Sequence, residues 1–235
     1  MQRSRTITMT TEAALYRLMT WLSPSYPLGA FSYSHGLEYA VEAGLVRDRA
    51  GLSSFVATVV EAGAGRSDGA LLVGAWQAAA AEDRAGLDNM VELGFAWRGT
   101  AEMALESRAQ GAAFLATTRA AWPHRLLDEL ALRHRGEVAL PVVVGAAAAA
   151  HGVALGATLT AYLHAFAATL VSAGLRLIPL GQSDGQRVIA ELESVIAAAA
   201  ASILATPLDQ IGTAAPLVDW CSMRHETQYT RLLRS

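Results

Sequence analysis

The side chains able to do chemistry are few in this sequence and widely spaced. His35, His124, His134, His151, His164 and His225 form no HExxH pattern, the spacing that sets two imidazoles and a base on one helix face. Cys221 and His225 stand four apart, which on a helix brings a thiolate and an imidazole to one side. They are two of the four ligands a closed metal site needs, and a dimer would double them. Glu38 and Glu42 repeat the spacing with carboxylates. Such a pair suits metal binding or acid–base work, and equally a solvated helix face. Glu38, Glu106 and His151 are the acid–base groups a small-molecule enzyme would draw on, although the sequence points to no substrate. All 18 basic residues are arginine, so Schiff-base and phosphate-loop lysine chemistry is excluded. The GAGRSDG stretch at 63–69 carries three glycines but follows no strand, and reads as a connector.

The 235 residues carry a net charge of −3, with 53% hydrophobic and 17% charged side chains. That balance builds a large core and gives no bulk attraction to nucleic acid. A single cysteine excludes an internal disulfide and a cysteine-rich zinc site. The N-terminal stretch has arginines but no apolar run of signal-peptide length, so a cytoplasmic protein is expected.

The elements that would position these groups are helices. Leu15, Leu18, Met19 and Leu22 form a first apolar stripe behind a Thr10 or Thr11 cap. Ser34, Asp48, Thr100 and Asp184 are further cap candidates, and Pro24, Trp122-Pro123 and Thr206-Pro207 are breaks. Gly44 and Gly174 suit helix ends. Residues 138–175 contain no Asp, Glu, Lys or Arg, which raises a membrane span. The stretch is mostly Ala, Gly, Thr and Val and is split by Gly152 and Gly156, so two central helices of a bundle are expected instead. His151 and His164 then read as core histidines. Only VALPVVVG at 138–145 resembles a strand, and it has no partner. The expected fold is all-α, a single-domain bundle of about nine or ten helices. Its domain occupies residues 10–218, between a flexible tail at 1–9 and a partner-binding tail at 219–235 that lacks a stripe to bury.

Three stretches carry more specific polar loop material than a bundle needs: PSYPLGAFSYSHGLEYAVEAG at 24–44, LIPLGQSDGQ at 177–186 and SMRHETQYTRLLRS at 222–235. Together, and in this order, they resemble the UreF family of urease accessory proteins over residues 13 to 235. Departures are small: Ala30 replaces a common second glycine, His35 a common glutamine and Leu233 a common phenylalanine. The resemblance implies an all-α homodimer without enzymatic activity of its own and without a tightly bound cofactor, active without membrane or nucleic acid. UreF-like proteins bind UreD (also called UreH) and recruit the GTPase UreG to apo-urease, coupling its GTP cycle to nickel insertion, so nickel is handled by the complex. Carried onto this chain, Met223, His225, Gln228, Tyr229, Arg231 and Arg234 would meet UreD. Tyr33, His35, Glu38, Arg176, Gln182 and Gln186 would lie near the UreG or dimer surface. The alternative is a direct nickel metallochaperone using Cys221 and His225.

Overall fold

Short oxygen side chains set four of the helix starts. In the computed structural model, which describes residues 11–235, Thr11 accepts from the Ala14 amide and opens α1 (Glu12–Trp21). Asp48 caps α3 (Arg49–Glu61), Asp83 caps α5 (Arg84–Ala96) and Thr100 caps α6 (Ala101–Ala121), each satisfying an amide that the first turn leaves unpaired. Between them lie the six-residue α2 (Leu37–Glu42) and α4 (Ala64–Ala80). Then follow α7 (Arg125–Arg133), α8 (Leu140–Ala150), α9 (Leu155–Leu177), α10 (Gln182–Ala205) and α11 (Pro216–His225). Single 3-10 turns sit at Ala30–Ser32 and Leu208–Gln210. The described residues contain no strand. The all-α single domain is as expected, and the expected tail at 1–9 lies outside the described residues.

The layers meet through small residues. The α4 helix lies along α8, α9 packs on α10, and α10 closes against α3. A Cβ on Gly111 of α6 would run into the Val138 carbonyl oxygen, and one on Gly145 of α8 into that of Leu72 on α4. Both contacts are with backbone, which cannot swing aside. The alanine- and glycine-rich run at 138–175 is therefore what lets α8 sit between α4 and α6 at close range. By length and composition α9 and α10 could each cross a membrane, but Leu159, Tyr162, Leu163, Ala167 and Leu170 on α9 are core residues.

Five expectations need correction. On α1 only Leu18 of the expected stripe is buried; Leu15 and Met19 are exposed, and Ala14 and Trp21 complete the buried face. The GAGRSDG stretch is helical from Ala64, because its glycines serve contact and not turning: a Cβ on Gly65 would lie 2.6 Å from Val60 Cα, and one on Gly69 2.6 Å from Ile203 Cδ1. Gly174 does not end α9, which continues to Leu177; it makes room for Leu52. His164 faces solvent. The segment from 219 onward is ordered as α11 plus a docked extension, since Val218, Cys221, Ser222 and His225 form a buried stripe at i, i+3, i+4 and i+7. Its polar members hid it, although Pro216 at the first turn was a signal.

Alanine at Gly111 or Gly145 is expected to destabilise the chain by about 1–3 kcal/mol, the usual result of overpacking. A lower denaturant midpoint for either variant, with Gly212→Ala as the unstrained control, checks this.

Candidate functional site

Three buried carboxylates organise the surface where α2, α6 and α11 meet. The chain reaches it through a turn with two successive left-handed residues, His35 at φ 58° and Gly36 at φ 80°. His35 is strained there; Gly36 is not, and a Cβ on it would lie 2.7 Å from the Ser222 amide nitrogen. Glycine at 36 thus brings α2 onto α11. Ser34 is wholly buried, accepts from the Glu38 amide at 3.3 Å and donates through its own amide to the Ser235 carbonyl oxygen at 2.7 Å. Its hydroxyl also donates to that carbonyl.

Glu38, 6% exposed, grips the closing segment by its main chain. Its Oε1 accepts from the Leu232 amide at 2.6 Å and its Oε2 from the Leu233 amide at 2.8 Å. Oε2 also faces His225 Nε2 at 3.1 Å, while His225 Nδ1 faces Glu102 Oε2 at 2.7 Å. Both ring nitrogens donate when both carry protons. Arg231 donates to the other Glu102 oxygen at 2.9 Å. Four residues further along α6, Glu106 accepts from Ser235 Oγ at 2.8 Å and from Gln110 Nε2 at 3.1 Å. Every oxygen of the three carboxylates is engaged, as buried charge requires. Thr100 and Ser222 hydroxyls meet at 2.7 Å, and the Arg234 amide donates to the Ser32 carbonyl at 2.7 Å. The arrangement is a latch that fastens residues 226–235 along α2 and α6.

A second polar group lies beside it. Asp68 of α4 takes Arg98 Nη1 at 2.6 Å and the Tyr162 hydroxyl at 2.8 Å. Burial, then the Asp68 charge, holds the Tyr162 hydroxyl well above its ordinary range. At the far end of the bundle, burial and then Arg17 push His151 down, and Trp21 packs edge-on against Phe114, Trp122 and His151.

The candidate residues divide by exposure. Tyr33, His35, Glu38 and His225 are buried, while Gln182, Gln186, Met223, Tyr229, Arg231 and Arg234 are exposed. Glu38 and His225 therefore act on the chain itself and not as surface. Gln228 is half-buried and donates to Glu42, which separates Glu42 on the outside from Glu38 within. Gln182 and Gln186 belong to the first turns of α10 and not to a loop. Arg176 stacks over the Phe31 ring at 3.7 Å, and burial lowers its pKa. Cys221 is wholly buried, and burial pushes its thiol up to about 11. Glu102 went unnoticed in the sequence; its spacing of four from Glu106 on a capped helix was the available signal.

The family model for UreF matches residues 46–193. A urease accessory protein UreF from Granulibacter bethesdensis is 54% identical, the alignment covering 96% of each chain. One from Rhodopseudomonas palustris strain BisB5 is 50% identical over 95% of this chain and 92% of its own. Another, from Methylorubrum populi, is 50% identical over 93% of this chain and 98% of its own.

Glu38→Gln keeps the volume but turns an NH2 toward an N–H donor. Amide exchange at Leu232 and Leu233 is expected to accelerate about tenfold to a hundredfold, from about 1–3 kcal/mol of lost satisfaction, while α4 and α8 amides keep their protection. Cys221 should resist a disulfide reagent at pH 8 until denaturant is added. Because the folded chain holds the Cys221 proton more tightly than the unfolded chain, this thiol's contribution to stability falls as pH climbs from 9.0 toward about 11; alkaline denaturation of Cys221→Ala against the parent reads this.

Proposed function

Because the chain belongs to the UreF family of urease accessory proteins, we propose that it is a scaffold that docks on UreD and recruits the GTPase UreG to apo-urease. One observation supports this above others: α11 and the latched segment after it leave a set of large apolar side chains outward, while Leu233 alone among the segment's large apolar residues is buried. Leu217, Trp220 and Met223 follow one another at i, i+3 and i+6 on α11 and are 55%, 43% and 51% exposed. Tyr229 and Leu232 continue the band at 104% and 65%. Aromatic, methionine and arginine side chains are the ones interface cores favour. Arg224, Arg231 and Arg234 border the band, so a partner with carboxylates around an apolar patch fits it. UreD is assigned to this surface.

Arg176, Gln182 and Gln186 are assigned to the UreG-facing or dimer surface. Phe31, 67% exposed beneath the Arg176 guanidinium, extends it. A homodimer would present two such surfaces related by a two-fold axis and hold two UreG chains together. UreG would supply the phosphate loop and its lysine, which this lysine-free chain cannot. Nickel is then cargo of the complex, and the role is accessory and cytoplasmic. The coupling of the GTP cycle to nickel insertion follows from holding UreG against urease.

Light scattering after size exclusion is expected to find a dimer that joins UreD and UreG in one stoichiometric complex; a monomer indifferent to both would overturn the scaffold reading. Alanine at Arg231 and Arg234 is expected to weaken UreD binding by about 1–2 kcal/mol per residue, within the range of interface hot spots, with helix content unchanged. Arg231 also holds Glu102, so the Tyr229→Ala, Arg234→Ala pair separates surface loss from latch loss. Undiminished UreD binding by both variants would move the contact elsewhere.

A further inference from the structure

Between the latch and the Asp68–Arg98 pair lies a small cleft lined by His35, Asp68, Arg98, Glu106, Ser107 and Tyr162, among others. Four buried polar atoms on this lining have no hydrogen-bond partner among the described residues: both ring nitrogens of His35, Arg98 Nη2 and Ser107 Oγ. His35 is 3% exposed, Ser107 7%, and the Arg98 side chain 5%. Glu106 Oε2 is 3.5 Å from His35 Nδ1, outside hydrogen-bond geometry. Buried polar groups of this kind are paired with protein or with ordered water in folded chains.

The centres of water-sized molecules have about 20 Å³ available in the cleft, enough for about one or two waters. The lining also decides the ligand's charge. An anion would meet the Asp68 and Glu106 carboxylates, and a cation would meet the Arg98 guanidinium. The unpaired set mixes donors on Arg98 with groups on His35 and Ser107 that both donate and accept. We infer that this cleft is a site for structural water, in which about one or two molecules bridge Arg98, Ser107 and His35. The water joins two networks that both reach this lining. One is Asp68–Arg98–Tyr162 in the core, and the other runs from His35 past Glu106 to Ser235. The strained backbone at His35 is then explained as the conformation that turns its ring into the site.

The test is a crystal structure of the full chain at a resolution that shows ordered solvent, with a parallel bromide soak. Solvent density within hydrogen-bond distance of Arg98 Nη2 and of Ser107 Oγ or a His35 nitrogen is the expected result. A dry cleft, side chains turned to protein partners, or anomalous bromide signal in the cleft would each overturn it. In solution, oxygen-17 relaxation dispersion of Ser107→Val against the parent is expected to lose the amplitude of about one long-lived water. An unchanged amplitude in a folded variant contradicts the site, and the parent crystal decides the matter if that variant does not fold.

Discussion

A carboxylate taken out of water must be given donors, and Glu38 is given three. Two are main-chain amides from the far end of the chain and one is the His225 ring. Removing a donor would leave a buried carboxylate less well satisfied, at a cost of about 1–3 kcal/mol. The need runs in both directions. The segment 226–235 has little apolar area of its own to bury, apart from Leu233, and it is ordered because the carboxylate requires its amides. The position of α11, the approach of α2 through Gly36 and the outward display of Tyr229 and Leu232 all follow from this requirement.

The rest of the bundle provides a base that does not yield. Alanine and glycine contribute little area per residue, so the core compensates by bringing helix backbones close, as at Gly111 and Gly145. Close backbone contact gives stiffness because no side chain can rotate to relieve it. The α6 helix, packed this way at Gly111, carries Glu102 and Glu106 under the closing segment.

Much of this was legible in the sequence, and the misses share a cause. Caps at Thr11, Asp48 and Thr100 were readable because capping is local chemistry. The stripe of α1 was misread, because apolar type alone does not fix the buried face: Leu18 lies inside with Ala14 and Trp21, while Leu15 and Met19 are exposed. Glycine was misread at 65, 69 and 174, since a glycine that admits a neighbour's side chain looks in sequence like one that turns the chain. The stripe of α11 was missed because two of its four members, Ser222 and His225, are polar and are buried only thanks to Thr100, Glu38 and Glu102. Those partners lie more than a hundred residues away, and no local pattern announces them. For the same reason Glu38 and His225 read as contact surface. A buried polar residue and an exposed one look alike until the partner is known.

Glu38 reads main chain, and every residue but proline offers it the same amide. The grip of Glu38 on the closing segment is consequently indifferent to which side chain stands at the exposed position 232, provided the backbone can donate, while Leu233 adds a buried side chain of its own. Anchoring and display are therefore separable properties here. The outward faces of the segment can be redrawn to suit a partner without disturbing how the segment is held, and only a residue lacking its N–H would couple the two again.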